Sequence, residues 1–401
     1  MTSQSVTTPP QARGRFLPSL DGLRALAVLL VIALHSLQRL SMTQPVSWWW
    51  LALGNGALGV FLFFIISGYL ITTLLVRELA KTGHISLRGF YARRAFRILP
   101  PLYAYIAFIT VLGLTGHMPG FNRTELWTAL TLTRNYSLHA SLWSFEHLWS
   151  LCIEEQFYLL WPGVLVLSVL AAHRAMSRTK SRAKSSAISH SAGSSESRSV
   201  SGLMERVRVQ AAWVALLVIC IEPFVRLFCF RYLPLWHNMG SFHMQADALM
   251  FGAIAALLEG RARFERLFAR ATRLPWLVPV ALFLCAALGI RFGNYWMAPI
   301  GLTLEGLLGL TWILWLVRHP DSLQGRVLNQ PAIMWVGRLS YSLYLWQTFF
   351  LHHDNVTVLG HATWWSTLPG AWLAISLCGV TSYYLIEQPA LRLRARVLRA
   401  P

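Results

Sequence analysis

Arg24 and His35 stand eleven residues apart in a run that is otherwise almost wholly apolar. Eleven helical steps are nearly three turns, so both side chains leave one face of a helix, about 16 Å apart along its axis. A guanidinium can hold an anion, and a neutral imidazole can take a proton from a hydroxyl. Arg24 could equally snorkel to lipid headgroups, and His35 could simply end its helix. A second constellation reads His147-Leu-Trp-Ser-Leu-Cys-Ile-Glu154-Glu155-Gln-Phe-Tyr158. Helical neighbours point about 100° apart, so the two carboxylates cannot share one task. Glu154 falls on the face of His147 and Tyr158 and is expected to orient the His35 imidazole, while Glu155 suits a structural or supporting role. Cys152 is a candidate relay thiol or, more simply, a small core residue.

Arg94 and Arg97 lie three residues apart on an expected short helix, so their guanidinium forks can converge on one anion, and such forks suit phosphate. Topogenic charge is the plainer alternative. It is weakened by the interleaved Tyr91 and Phe96 and by Pro100-Pro101 directly after. His243 and Asp247 are spaced i, i+4 and become candidates for acceptor binding or support. Glu222 and Arg226 have the same spacing and read as a self-neutralising pair. Glu305 has no local partner. His352, His353 and His361 share one loop, where a wet polar loop is the simpler reading. There is no Cys/His zinc spacing, and no metal is expected.

These groups are informative because of what surrounds them. Of 401 residues, 55% are hydrophobic and 13% charged, against about a quarter charged in soluble proteins. A single soluble domain is excluded. The five Cys all sit in apolar runs, which argues against a disulfide-built secreted domain. Ten apolar runs predict an all-α polytopic protein of about ten membrane helices: 20–37, 56–76, 98–115, 148–171, 210–230, 241–258, 275–290, 298–317, 333–351 and 365–387. The net charge of +19 does not indicate nucleic acid, because the basic residues fall in alternate loops. One set of loops and tails holds 27 Lys and Arg and the other 5. By the positive-inside rule both termini are expected in the cytoplasm. The first run lacks a cleavage site and carries Arg24 and His35, so it is read as a retained span. Residues 1–172 carry the first four helices and 209–401 the last six with a basic tail. Between them, 173–208 reads as a disordered basic linker, 11 of the 29 residues at 173–201 being Ser.

In this order the motifs resemble the acyltransferase-3 family of membrane acyltransferases. They are Leu20-Asp-Gly-Leu-Arg24 continuing to His35, Gly59-Val-Phe-Leu-Phe-Phe-Ile-Ile-Ser67-Gly68-Tyr69, Arg94-x-x-Arg97 and His147-Leu-Trp-Ser to Tyr158. Gly337-Arg-Leu-Ser340-Tyr341-Ser-Leu-Tyr-Leu-Trp346 and Tyr384-Leu-Ile-Glu387-Gln-Pro389 complete the set. The resemblance implies transfer of an acyl group, usually acetyl, from acyl-CoA to a hydroxyl of a saccharide, lipid-linked glycan or macrolide. It puts His35 in the catalytic centre with Arg24 as its partner motif, and Arg94 and Arg97 on the donor side. Tyr341 becomes a supporting or acceptor-side candidate. Acetyl-CoA would be a co-substrate, with no resident cofactor, and the setting a bacterial inner membrane. Two departures stand out. Gln347 occupies a position where many relatives carry His, and the chain ends at Pro401 without the hydrolase-like domain fused to some relatives. Transfer is then expected to finish in the membrane unit or on a separate partner.

The competing class is a transporter of a glycan or proton-coupled solute, which would also use intramembrane His, Glu and Asp. Against it stand the lack of a two-fold repeat of the span pattern and of paired Gly/Pro-interrupted helices.

Overall fold

The computed structural model describes residues 19–137, 142–186, 195–233, 240–352, 354 and 363–398. Among them the regular elements are helices. The longer ones are α1 (Leu20–Ser41), α2 (Gly56–Thr82), α3 (Leu87–Leu114), α4 (Leu148–Ser186), α5 (Ser195–Tyr232) and α6 (Ala246–Leu258). They continue with α7 (Ala262–Ala271), α8 (Leu277–Phe292), α9 (Leu302–Arg318), α10 (Pro331–Leu351), α11 (Leu368–Ser382) and α12 (Gln388–Val397). All ten apolar runs fall on helical segments. Seven helical stretches are both long and apolar enough to cross a membrane, and α6 and α8 are apolar but shorter. The α10 helix has 21 residues but does not qualify on apolarity. Arg338, Ser340, Tyr341, Ser342, Tyr344, Gln347 and Thr348 lower its hydropathy.

Helix ends follow local chemistry. Asn55 caps α2 by accepting from the Leu58 amide at 3.0 Å, and Gly83 closes it in the left-handed region at φ 74°. Ser86 caps α3 by accepting from the Gly89 amide at 3.2 Å. The Ser86 amide in turn donates to Glu78 at 3.0 Å. This cap starts a single 28-residue helix where the sequence suggested a short helix followed by a span. Pro100 and Pro101 lie inside it, so the carbonyls of Phe96 and Arg97 lose their i+4 donors.

The α2 helix is the most enclosed and packs on α6 and α1, while α1 packs on α10. At the α2–α6 crossing Gly68 sits against the Leu249 carbonyl and Gly252 against the Ile65 carbonyl, and a Cβ at either would collide with backbone. Beyond His35, Arg39 ties α1 to the end of α10. It donates to the Phe350 carbonyl at 2.7 Å and the Ser366 carbonyl at 2.5 Å. Within 173–208, α4 continues through Ser186 and α5 begins at Ser195, and 187–194 lie outside the described residues. His353 and His361 also lie outside them.

Candidate functional site

Five helices, α1, α2, α3, α4 and α10, surround a cavity of about 90 Å³. Its polar walls are Arg24, Ser67, Arg94, Arg97, Ser150, Glu154, Tyr158, Ser340, Tyr341 and Tyr344, against Val60, Phe63, Phe64, Ile66, Ile98 and Leu151. The walls thus hold three guanidiniums and one carboxylate. Two of the cations have a local hold. Arg24 pairs with Asp21 at 3.4 Å, one turn earlier. Arg94 lies over the Tyr158 ring, 5.0 Å from its centroid. Arg97 and Arg24 feel Glu387, which accepts from the Ser342 hydroxyl at 3.3 Å. Glu387 ends a π-helical turn, Tyr383–Glu387, between α11 and α12. Such turns re-aim side chains, often at functional positions.

Glu154 stands within hydrogen-bond reach of Ser67 and Tyr158 and in the field of Arg94 and Arg24. Tyr158 and Ser67 hydrogen-bond each other. Tyr341 donates to the Ile98 carbonyl at 2.8 Å, beside the proline step of α3. Glu155 points, with the 100° offset, into a second hollow with Tyr91, Leu99 and Gln156, which shares the Arg94 and Tyr158 walls with the first.

His35 is not a wall of this cavity. It lies in the field of His352 and within reach of Gln38, and His147 is within electrostatic range of it. The expected contact between Glu154 and His35 is therefore not formed. The helices explain why. Arg24 and Glu154 share the cavity, and His35 is about 16 Å further along α1. His147 is seven residues before Glu154, about 10 Å toward the His35 end. The α4-side residue displaced toward His35, and within electrostatic range of it, is thus His147 rather than Glu154. Between His147 and the cavity stand Tyr344 and Ser150: Ser150 donates to the Tyr344 oxygen at 2.6 Å, and Tyr344 donates to the His147 carbonyl at 2.8 Å.

His243 and Asp247 do not act as a pair. His243 stacks on Tyr136 at 5.9 Å, whereas Asp247 forms a buried ion pair with Arg226. Glu222 therefore does not simply neutralise Arg226 on α5; it accepts from the Ala246 amide at 2.9 Å, capping the start of α6. Glu305, unpartnered in the sequence, lies in the field of Arg226 and Asp247. Cys152 is fully buried and does not line the cavity. Its environment is the Arg134–Asn135 backbone, as a core residue's would be. Sequence reasoning missed the buried Glu125–Arg134 ion pair and left Glu387 and His147 without roles. For His147 a signal existed: it lies two helical turns from Glu154, on the same face.

An acyltransferase domain family, acyltransferase-3, matches residues 17–385. The peptidoglycan O-acetyltransferase OatA of Listeria monocytogenes is 26% identical over 397 residues, 94% of this chain and 56% of that protein. A Staphylococcus aureus (strain COL) protein named "Putative O-acetyltransferase SACOL0978" is 27% identical over 351 residues, 83% of this chain and 50% of its own. A Bacillus subtilis protein named "Putative peptidoglycan O-acetyltransferase YrhL" is 27% identical over 411 residues, 94% of this chain and 55% of its own. The chain thus spans about half the length of these curated relatives. No solved structure matches it at a significant level. The family match extends from before Arg24 to past α11, and so takes in every wall of the cavity: the chain belongs to the acyltransferase-3 family.

Proposed function

We propose that the protein transfers an acyl group, most simply acetyl, from acyl-CoA to a hydroxyl of a saccharide or lipid-linked glycan. The observation that carries this reading is the group of three guanidiniums, Arg24, Arg94 and Arg97, around one internal space. Guanidinium forks away from bulk water favour phosphate oxygens strongly, and acyl-CoA is a phosphate-rich donor. The bias of basic residues places the arginine end on the cytoplasmic side of a bacterial inner membrane, where acyl-CoA is made, with both termini there. The His35 end then faces the other leaflet, where a glycan acceptor would be met. The printed names of the relatives favour acetyl as the group and a glycan as the acceptor.

The geometry is consistent with one division of labour. Arg94 and Arg97 hold the donor's phosphates, Arg24 extends the positive field along α1, and Glu154 with Tyr158 keeps the Arg94 guanidinium in place. The thioester end passes Tyr344 toward His35. His35 accepts the proton of the acceptor hydroxyl as its oxygen attacks the thioester carbonyl.

The test is thiol release. Purified protein in lipid nanodiscs, given acetyl-CoA and a lipid-linked disaccharide, should liberate free CoA and form an O-acetyl ester. His35→Gln keeps a polar side chain but cannot take up the proton, and turnover should fall by about two to four orders of magnitude. Wild-type turnover in His35→Gln would move the centre elsewhere.

A further inference from the structure

His147 is 4% exposed, and neither ring nitrogen has a hydrogen-bond partner. The Leu345 carbonyl lies near the ring but outside hydrogen-bond geometry. A buried polar atom left unsatisfied is destabilising, so a ring with both nitrogens unmet needs an explanation. The ring is also held rather than loose. It meets the Tyr105 ring edge-on at 5.4 Å and the Tyr344 ring at 5.5 Å. Both tyrosines are pinned, Tyr105 by donating to the Ser144 carbonyl at 2.6 Å and Tyr344 by donating to the His147 carbonyl. His35 and Arg134 are the ionisable groups in its field.

An oriented, unmatched donor therefore stands within electrostatic range of His35, directly beyond the Tyr344 and Ser150 wall of the arginine cavity. We infer that His147 is a second catalytic imidazole, whose N–H binds the thioester carbonyl oxygen during transfer. The inference rests on the acyl-transfer reading above. As the acceptor oxygen bonds to the carbonyl carbon, its proton passes to His35 and the carbonyl π electrons move onto oxygen. His147 donates to that oxyanion. Collapse then breaks the C–S bond, and the thiolate takes the proton from His35, leaving an ester and free CoA thiol. An oxyanion donor fixed before the reaction, in a dry setting, is an effective form of catalysis.

The test compares three variants in nanodiscs with acetyl-CoA and a lipid-linked disaccharide. His147→Ala should lower kcat by about 10²–10³, with KM for acetyl-CoA within about threefold. His147→Phe fills the space between the two tyrosines and lacks the donor, so it should show the same loss without a fall in thermal stability. His147→Gln can donate from its amide and should recover at least about tenfold of the kcat lost in His147→Ala, while keeping the wild-type pH profile. Near wild-type kcat in His147→Phe overturns the inference and leaves the acyl-transfer reading intact. A His147→Gln variant no better than His147→Phe also overturns it. A wild-type protein that releases no CoA overturns the reading and the inference together.

Discussion

Two clusters of ionisable groups are buried among these helices, and their compositions are opposite. Around Arg226 stand three carboxyl groups, Asp247, Glu222 and Glu305; around the cavity stand three arginines with a single carboxylate in the wall. In the first cluster the arginine has a direct carboxylate partner. Arg226 pairs with Asp247 and donates from Nε to the Met244 carbonyl at 2.9 Å, and Glu222 caps α6. In the second, Arg24 is held by Asp21 and Arg94 by the Tyr158 ring, Arg97 lies in the field of Glu387, and all three border open space. Both clusters break the rule against charge in a bilayer. The difference is that one pairs its arginine directly with a carboxylate, while the other keeps positive charge bordering a void.

That contrast is broken most directly at Arg226. Arg226→Ala leaves Asp247 buried without its cation, which in comparable pairs costs about 3–5 kcal/mol. A large fall in thermal unfolding temperature in nanodiscs and a loss of monodisperse protein are expected. The double variant Arg226→Ala with Asp247→Ala should be less damaged than the sum of the singles. An Arg226→Ala protein that folds normally yet transfers nothing would make this cluster the functional one.

The cavity arginines should behave the other way. Arg94→Ala and Arg97→Ala should each raise KM for acyl-CoA about tenfold, as expected for a lost charge-assisted hydrogen bond, with little change in unfolding temperature. Arg→Lys should restore part of the affinity, because the ammonium keeps the charge and loses the fork. Weakening should be steeper at high salt if the phosphates are partly solvated. Wild-type KM in both alanine variants would return these residues to a topogenic role.

Much of this contrast is legible in the sequence, for reasons specific to each residue. Arg24, Arg94, Arg97 and Glu154 stand out because charge is conspicuous in apolar runs, Tyr341 enters through the family motif, and the structure brings all five to one cavity. Helical periodicity also separates Glu154 from Glu155. Relative depth between helices is not local information, so it was lost. Nothing within α4 says that His147, rather than Glu154, comes within range of His35, because that depends on how α4 slides along α1. For the same reason the i, i+4 spacing of Glu222 and Arg226 suggested a pair, whereas the arginine turns to Asp247 on the next helix. Glu387 was hidden differently: a π turn shifts its direction relative to an ordinary helix, and no periodicity count includes that step.

The smallest effect belongs to a charge contact at the surface, where the comparison with both buried clusters is sharpest. Arg318 grips Glu265 of α7 through both nitrogens at 2.7 and 3.0 Å, and its guanidinium lies 4.5 Å from the Phe268 ring centroid. The Gly260 amide also donates to Glu265 at 2.9 Å. The Arg318 hydrogen bonds hold the Glu265 carboxyl below its ordinary range. A depressed carboxylate contributes stability that is complete at neutral pH and is lost as pH falls through the usual carboxylate range to the lowered value. The side chain is 36% exposed, so water screens the contact and its worth should stay within about 1 kcal/mol. Glu265→Gln keeps an acceptor for Gly260 and removes the charge. It should leave acyl transfer unchanged, lower the unfolding temperature slightly at pH 7, and flatten its decline toward pH 4. A loss of stability as large as that of Arg226→Ala would show that exposure does not separate these contacts, and that the α7–α9 clamp carries as much of the fold as the buried joint.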